Sequence, residues 1–138
     1  MATRALPCPE ADRQEPRFRD AFVVARHVQP MLSGLDHERL VALMLNDDDR
    51  LIDQMVFPGS ADGIDLCLRR LFTAALAVEA RALILAHNHP HGDPTPSSAD
   101  IRTTRDCARA GKLLSVALLD HLIFGEHRIT SFRGMGLL

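Results

Sequence analysis

Leu83-Ile84-Leu85-Ala86-His87-Asn88-His89-Pro90-His91-Gly92-Asp93-Pro94-Thr95-Pro96-Ser97-Ser98-Ala99-Asp100 is the stretch on which the reading of this chain turns. An apolar run ends in two histidines one residue apart, passes through a proline-rich loop, and reaches a serine and an aspartate. The run is short and bounded by Pro and Gly, which favours a buried strand over a helix. Residues two apart on a strand face the same way, so His87 and His89 project together from its end. Two neutral imidazoles on one side suit a metal ion, and zinc is the expected one, a single ion per chain. Pro90, Pro94 and Pro96 deny the loop regular hydrogen bonding and stiffen its path. Ser97 to Asp100 has the spacing of a capping box, with the Ser97 hydroxyl over the first turn of a helix and Asp100 at the positive end of its dipole. Asp100 is thereby placed to be a third, anionic ligand. Each feature alone is ordinary, since Ser-x-x-Asp before an apolar run is usually a plain helix cap; the coincidence of all of them points to a site.

The rest of the chain reads as one domain. Residues 1–20 are polar and proline-containing and are expected to form a flexible tail ahead of a domain over residues 21–138. Ala21 to Leu32 has helical spacing, with Pro30 expected to kink or end the helix and Gly34 to close it. Leu40–Leu45 and Leu51–Phe57 flank the acidic turn Asn46 to Arg50 as a hairpin. Asp47 to Asp49 lack the glycine and glutamate spacing of a calcium loop, so a solvated turn is expected. A core-packing helix is read from about Ile64 to Glu79, and a second from Ala99 to Ala110, stopped by Gly111. Leu113–Leu119, His121–Phe124 and His127–Phe132 read as closing strands, with a turn at Gly125-Glu126. Helices alternating with hairpins imply an α/β fold with a mixed sheet flanked by helices.

Composition removes several function classes. The 138 residues, 46% hydrophobic and 25% charged, are those of an ordinary globular domain. A formal net charge of −2 gives no basic field for a phosphate backbone, so nucleic-acid binding is not supported by net charge. Cys8, Cys67 and Cys107 form no C-x-x-C pair, which argues against a disulfide framework or a cysteine zinc site. Glu10, Asp12, Arg13 and Glu15 stand where a leader would need an apolar stretch, and no run spans a bilayer, so a cytoplasmic protein without membrane partners is expected. The His-x-Glu and Pro-Cys-x-x-Cys motifs of zinc nucleobase deaminases are lacking. His87-Asn88-His89 is likewise no HNH nuclease signature, because the residues of that signature are dispersed.

His87-x-His89, seven residues, Ser97, two residues and Asp100 resemble the metal signature of the JAB/MPN-domain (JAMM) metalloproteases. With Leu119-Asp120-His121-Leu122-Ile123-Phe124-Gly125 and Ser131-Phe132, the chain from about Ala21 to Leu138 is similar to the RadC branch, historically called DNA repair proteins. The resemblance implies a single JAB/MPN-like (cytidine-deaminase-like) domain. It covers the JAB domain only; the helix-hairpin-helix region that members often carry has no counterpart read here, which weakens the repair label. Members usually have a small residue where this chain has His91.

The resemblance implies hydrolysis of an amide or isopeptide bond in a peptide or protein substrate, with zinc polarising water and carbonyl and a glutamate moving the proton. Spacing alone leaves Asp36, Glu38 and Glu79 open as the base. In the resembling family a glutamate heads the first strand in a pattern similar to Glu38-Arg39-Leu40-Val41-Ala42-Leu43-Met44-Leu45-Asn46, and this falls on Glu38. Ser97, matching the family serine, would donate to the oxyanion or the water while still capping its helix. Asp120 and His121 read as structural, ordering a turn or orienting a ligand histidine from behind. The rival reading is a noncatalytic metal-binding scaffold that serves DNA repair or recombination through protein or nucleic-acid partners. A two-metal phosphodiesterase would need more carboxylates around the site. A homo-oligomer is compatible with the sequence, which names no substrate.

Overall fold

The computed structural model describes residues 16–60, 63–64 and 66–138. In chain order the elements are α1 (Ala21–Leu32), β1 (Arg39–Leu45), β2 (Leu51–Ser60), β3 (Gly63–Ile64), α2 (Leu68–Ala77), β4 (Ala82–Asn88), α3 (Ser98–Leu114), β5 (Ala117–Phe124) and β6 (Ile129–Ser131). They build a six-stranded sheet in the order β3-β2-β1-β4-β5-β6. β1 pairs antiparallel with β2 and β4, and β4 pairs parallel with β5 across the α3 crossover, so the sheet is mixed. This is the expected α/β fold.

β1 and β4 lie at the centre, and every residue of β4 is buried, as is all of β1 after Arg39. Their near-continuous apolar sequences follow from burial on both faces. One face packs Val41, Leu43, Leu45, Ile84 and Ala86 against Val24, Val28 and Leu32 of α1. The other packs Leu40, Ala42, Met44, Leu83 and Leu85 against Leu71, Phe72 and Ala75 of α2 and Cys107 of α3. Period-two strands thus feed two separate helix layers.

Several local expectations change. The first helix has the expected bounds, Ala21–Leu32, but Pro30 lies inside its last turn rather than ending it, and Ser33 N–H donates to Gln29 O at 2.9 Å to close that turn. Within the stretch expected to be a loose tail, Phe18 is buried and its N–H donates to Asp49 O; residues 1–15 and the tail expected there lie outside the described residues. Residues 63–64 pair with β2 rather than opening a helix, and α2 begins at Leu68. Gly111 does not stop α3, which continues to Leu114 and ends at Ser115 in the left-handed region (φ 57°). The glycine answers a packing demand instead: a Cβ there would stand 2.2 Å from Val116 O. Leu113 and Leu114 are therefore helical, and the two strands expected on either side of Asp120 are the single strand β5. The last connection is longer than the expected two-residue turn, with Gly125 N–H donating to Arg128 O at 2.8 Å.

β5 carries one irregularity that matters for the site. Leu83 pairs with Leu118, but Ile84 pairs with Asp120, so Leu119 is an extra residue, a bulge. Before it Leu118 faces the α2/α3 layer; after it Leu122 and Phe124 face α1. The bulge inverts the alternation, and His121 falls on the same side of the sheet as His87.

Candidate metal centre

The site forms where β4 ends, β1 begins and α3 starts. Leu40 pairs with His87 in the β1–β4 ladder, so the residues just before β1 stand beside the end of β4. His89 lies one residue past the strand, yet its N–H donates to Phe124 O at 2.9 Å, which continues the β5 pairing and keeps His89 in phase with His87. The expectation that both imidazoles leave the strand together holds geometrically. Their Nε2 atoms are 3.1 Å apart.

The other ring nitrogens face the protein. His89 Nδ1 lies 2.6 Å from the Asp93 carbonyl, and Asp93 fixes its own loop by accepting from the Thr95 N–H and hydroxyl. His87 Nδ1 lies 2.7 Å from His121 Nε2. Both rings thus turn Nε2 towards one point, as metal-ligating histidines do when a partner behind them fixes the ring.

Asp100 enters from the first turn of α3. Its carboxylate is 3.3 Å from His87 Nε2 through Oδ1 and 3.1 Å from His89 Nε2 through Oδ2. The capping box is complete: Asp100 N–H donates to Ser97 Oγ at 3.0 Å, and Ser97 N–H donates to Asp100 Oδ2 at 2.8 Å. Ser97 is exposed beside the carboxylate, and its oxygen is occupied by the helix. Burial alone would push the Asp100 carboxyl up; hydrogen bonds to His87 and His89 and the backbone bond from Ser97 outweigh it and hold the group far below the usual carboxylate range. His89 is raised in return, chiefly by its hydrogen bond to Asp100.

Glu38 precedes β1 and reaches within 3.7 Å of His89 Nε2. Glu38, His87 and His89 bring donor atoms within 4.8 Å of one another, and Asp100 contacts both histidines. Asp36, one of the alternatives for the base, instead pairs with His37 on the surface, while Glu79 sits in the left-handed turn after α2. A set of two imidazole nitrogens and carboxylate oxygens suits zinc and neutralises a divalent charge, so the residues present fit that ion.

Asn88, between the two histidines, escaped the sequence reading. Its alternate strand position turns it towards β1, where its Oδ1 accepts from Arg39 N–H at 2.8 Å and its Nδ2 donates to His37 O at 2.9 Å. Those contacts clamp the backbone on both sides of Glu38. Thr104 was also missed, although its place four residues after Asp100 puts it on the same helix face. Its hydroxyl lies 2.7 Å from both Asp100 O and His121 Nδ1. Asp120 has the structural part expected of it, accepting from His121 N–H, Arg133 N–H and the Ser131 hydroxyl. His91 is exposed and lines, with His89, Asn88, Glu126 and Gln29, a cleft of about 590 Å³ beside the site.

The sequence profile of the RadC-like JAB domain matches residues 18–137. The chain belongs to this family. Among RadC-like relatives, a UPF0758 protein of Symbiobacterium thermophilum is 37% identical over 139 residues, covering 100% of this chain and 57% of that protein. One from Roseiflexus castenholzii is 39% identical, covering 89% of this chain and 54% of its own length. One from Stenotrophomonas maltophilia is 42% identical, covering 94% and 56%. The chain therefore spans about half the length of the curated relatives it matches. Among the described residues, no helix is long and apolar enough to cross a membrane.

Proposed function

We propose that this RadC-like domain is a zinc-dependent hydrolase acting on an amide or isopeptide bond of a peptide or protein. The observation that carries the reading is the convergence of His87 Nε2, His89 Nε2, the Asp100 carboxylate and the Glu38 carboxylate on one end of the sheet. His87, His89 and Asp100 are the ligands in this reading, and the ion they hold would supply Lewis acidity towards water and the substrate carbonyl.

Glu38 is the base. It stands close enough to the histidine pair to take a proton from water held there and pass it to the leaving amine. Asn88 and the β1–β4 ladder hold Glu38 in place from behind. Ser97 orients Asp100 through the capping box; its hydroxyl hydrogen remains free for an oxyanion, because the oxygen accepts the Asp100 N–H through a lone pair. The cleft beside His89 gives a peptide a route to these groups.

Metal analysis of the wild type beside His89→Ala, followed by peptide-library cleavage with Glu38→Gln as control, tests the reading. Zinc near one equivalent in the wild type, lost in His89→Ala, is the expected result, with cleavage abolished by Glu38→Gln. Freshly purified wild type without metal would sink the catalytic reading, and cleavage that survives Glu38→Gln would remove the base.

A further inference from the structure

We propose that Thr104 and His121 are positioning residues that commit Nδ1 of His87 to a hydrogen bond, so that His87 offers the metal its Nε2. The inference rests on the metal reading above and adds a device behind the ligands.

The direction of the chain follows from what each atom can do. The Thr104 hydroxyl lies 2.7 Å from the Asp100 carbonyl, and a carbonyl oxygen only accepts. The hydroxyl hydrogen therefore goes to Asp100 O, leaving lone pairs to face His121 Nδ1 at 2.7 Å. Nδ1 of His121 must then carry the hydrogen. Both nitrogens of that buried ring are taken up, Nδ1 by Thr104 and Nε2 by His87, and a neutral imidazole has one hydrogen to give. Its Nε2 is consequently a bare acceptor, and the only way to make the 2.7 Å contact with His87 Nδ1 is for His87 to donate. With Nδ1 of His87 committed to His121 as a donor, Nε2 is the nitrogen left for a ligand bond, the atom turned towards His89 and Asp100.

His89 reaches the same state by a shorter route, since the Asp93 carbonyl can only accept from its Nδ1. A loop carbonyl serves one ligand; a helix hydroxyl and a third histidine serve the other. Phe132 stacks on the His121 ring at 4.9 Å and 15°, which holds its plane, and the Leu119 bulge puts His121 on the required face. The reverse tautomer would place a hydrogen on His87 Nε2, and that hydrogen would have to leave before a metal could bind.

The experiment is nitrogen-15 NMR of histidine-labelled protein, metal-free at pH 8 and zinc-loaded, with zinc affinity by chelator competition in Thr104→Val and Thr104→Ser. The expected result is hydrogen on Nδ1 of both His87 and His121, with a nitrogen–nitrogen coupling across their hydrogen bond. Thr104→Val should weaken zinc by ~10–100-fold, the range for partners lying behind a ligand, while Thr104→Ser, which keeps the hydroxyl, stays within about threefold of wild type. Hydrogen on His121 Nε2 in the wild type, or a valine variant with wild-type affinity, overturns the proposal. If the valine variant does not fold, the wild-type tautomers decide alone. Wild type that binds no zinc but shows these tautomers would remove the metal reading and leave the hydrogen-bond chain standing, so the two failures are distinguishable.

Discussion

Replacing Asn88 with alanine removes one side chain that makes two backbone contacts, to Arg39 N–H at 2.8 Å and His37 O at 2.9 Å. A net hydrogen bond contributes about 0.5–1.5 kcal/mol, and a buried group left without its partner costs about 1–3 kcal/mol. His37 and Arg39 are only partly buried, so water can reach the abandoned groups and the lower figures apply. The sum is about 2–3 kcal/mol. For a domain of this size each kcal/mol moves Tm by roughly 3–5 °C, so Asn88→Ala should melt roughly 6–15 °C below wild type. Circular dichroism melts of the metal-free proteins measure this directly. The same variant separates the two halves of the site: the clamp acts on β1, whereas His87, His89 and Asp100 sit on β4, the following loop and α3. Zinc affinity should change by less than about threefold, below the loss typical for partners that orient a ligand, while any Glu38-dependent cleavage falls at least tenfold. A Tm within about 2 °C of wild type would refute the energetic reasoning, since even the weakest pair of hydrogen bonds predicts more. Zinc affinity falling in step with activity would refute the separation.

Four further outcomes are expected. Gly111→Ala forces a Cβ to within 2.2 Å of Val116 O, so the α3–β5 connection must shift, at a cost of about 2–4 kcal/mol read as a lower denaturant midpoint. Burial pushes the Cys107 thiol up to about 12, so iodoacetamide at pH 8 should label exposed Cys67 and spare Cys107 until the protein unfolds, as peptide mass spectrometry would show. Because that folded value lies above the unfolded one, Cys107 also withdraws stability as pH climbs past about 9, where the unfolded thiol ionises first. Zinc at a hundred times its Kd should stabilise the stripped protein by about 2.7 kcal/mol, and the absence of any rise in Tm would count against a folded-state metal site.

The elements with strong local signals were legible in the sequence. The apolar run before His87, the Asn46–Arg50 turn and the Ser97–Asp100 capping box each depend on neighbours a few residues away, and each forms as read. Family resemblance, rather than spacing, singled out Glu38 from Asp36 and Glu79. What stayed hidden depends on contacts across the sheet. Gly111 looked like a helix stop because nothing local reveals that Val116 O presses on it. Asn88 drew no reading of its own because its partners are 49 and 51 residues away. His121 was weighed as a residue behind a ligand histidine, but which ligand it meets, and that Thr104 lies behind it, depends on the β4–β5 register and its bulge.

The extra residue at Leu119 sets limits on how this chain can change its length. Surface connections in such a domain accept insertions and deletions readily, because only the path between fixed ends is altered. Adding one residue just before His121, with no second bulge to absorb it, would instead turn the second half of β5 over, sending His121 out of reach of His87 and Leu122 and Phe124 into the wrong layer. Every proposed metal donor would survive in the sequence, and the centre would still be broken.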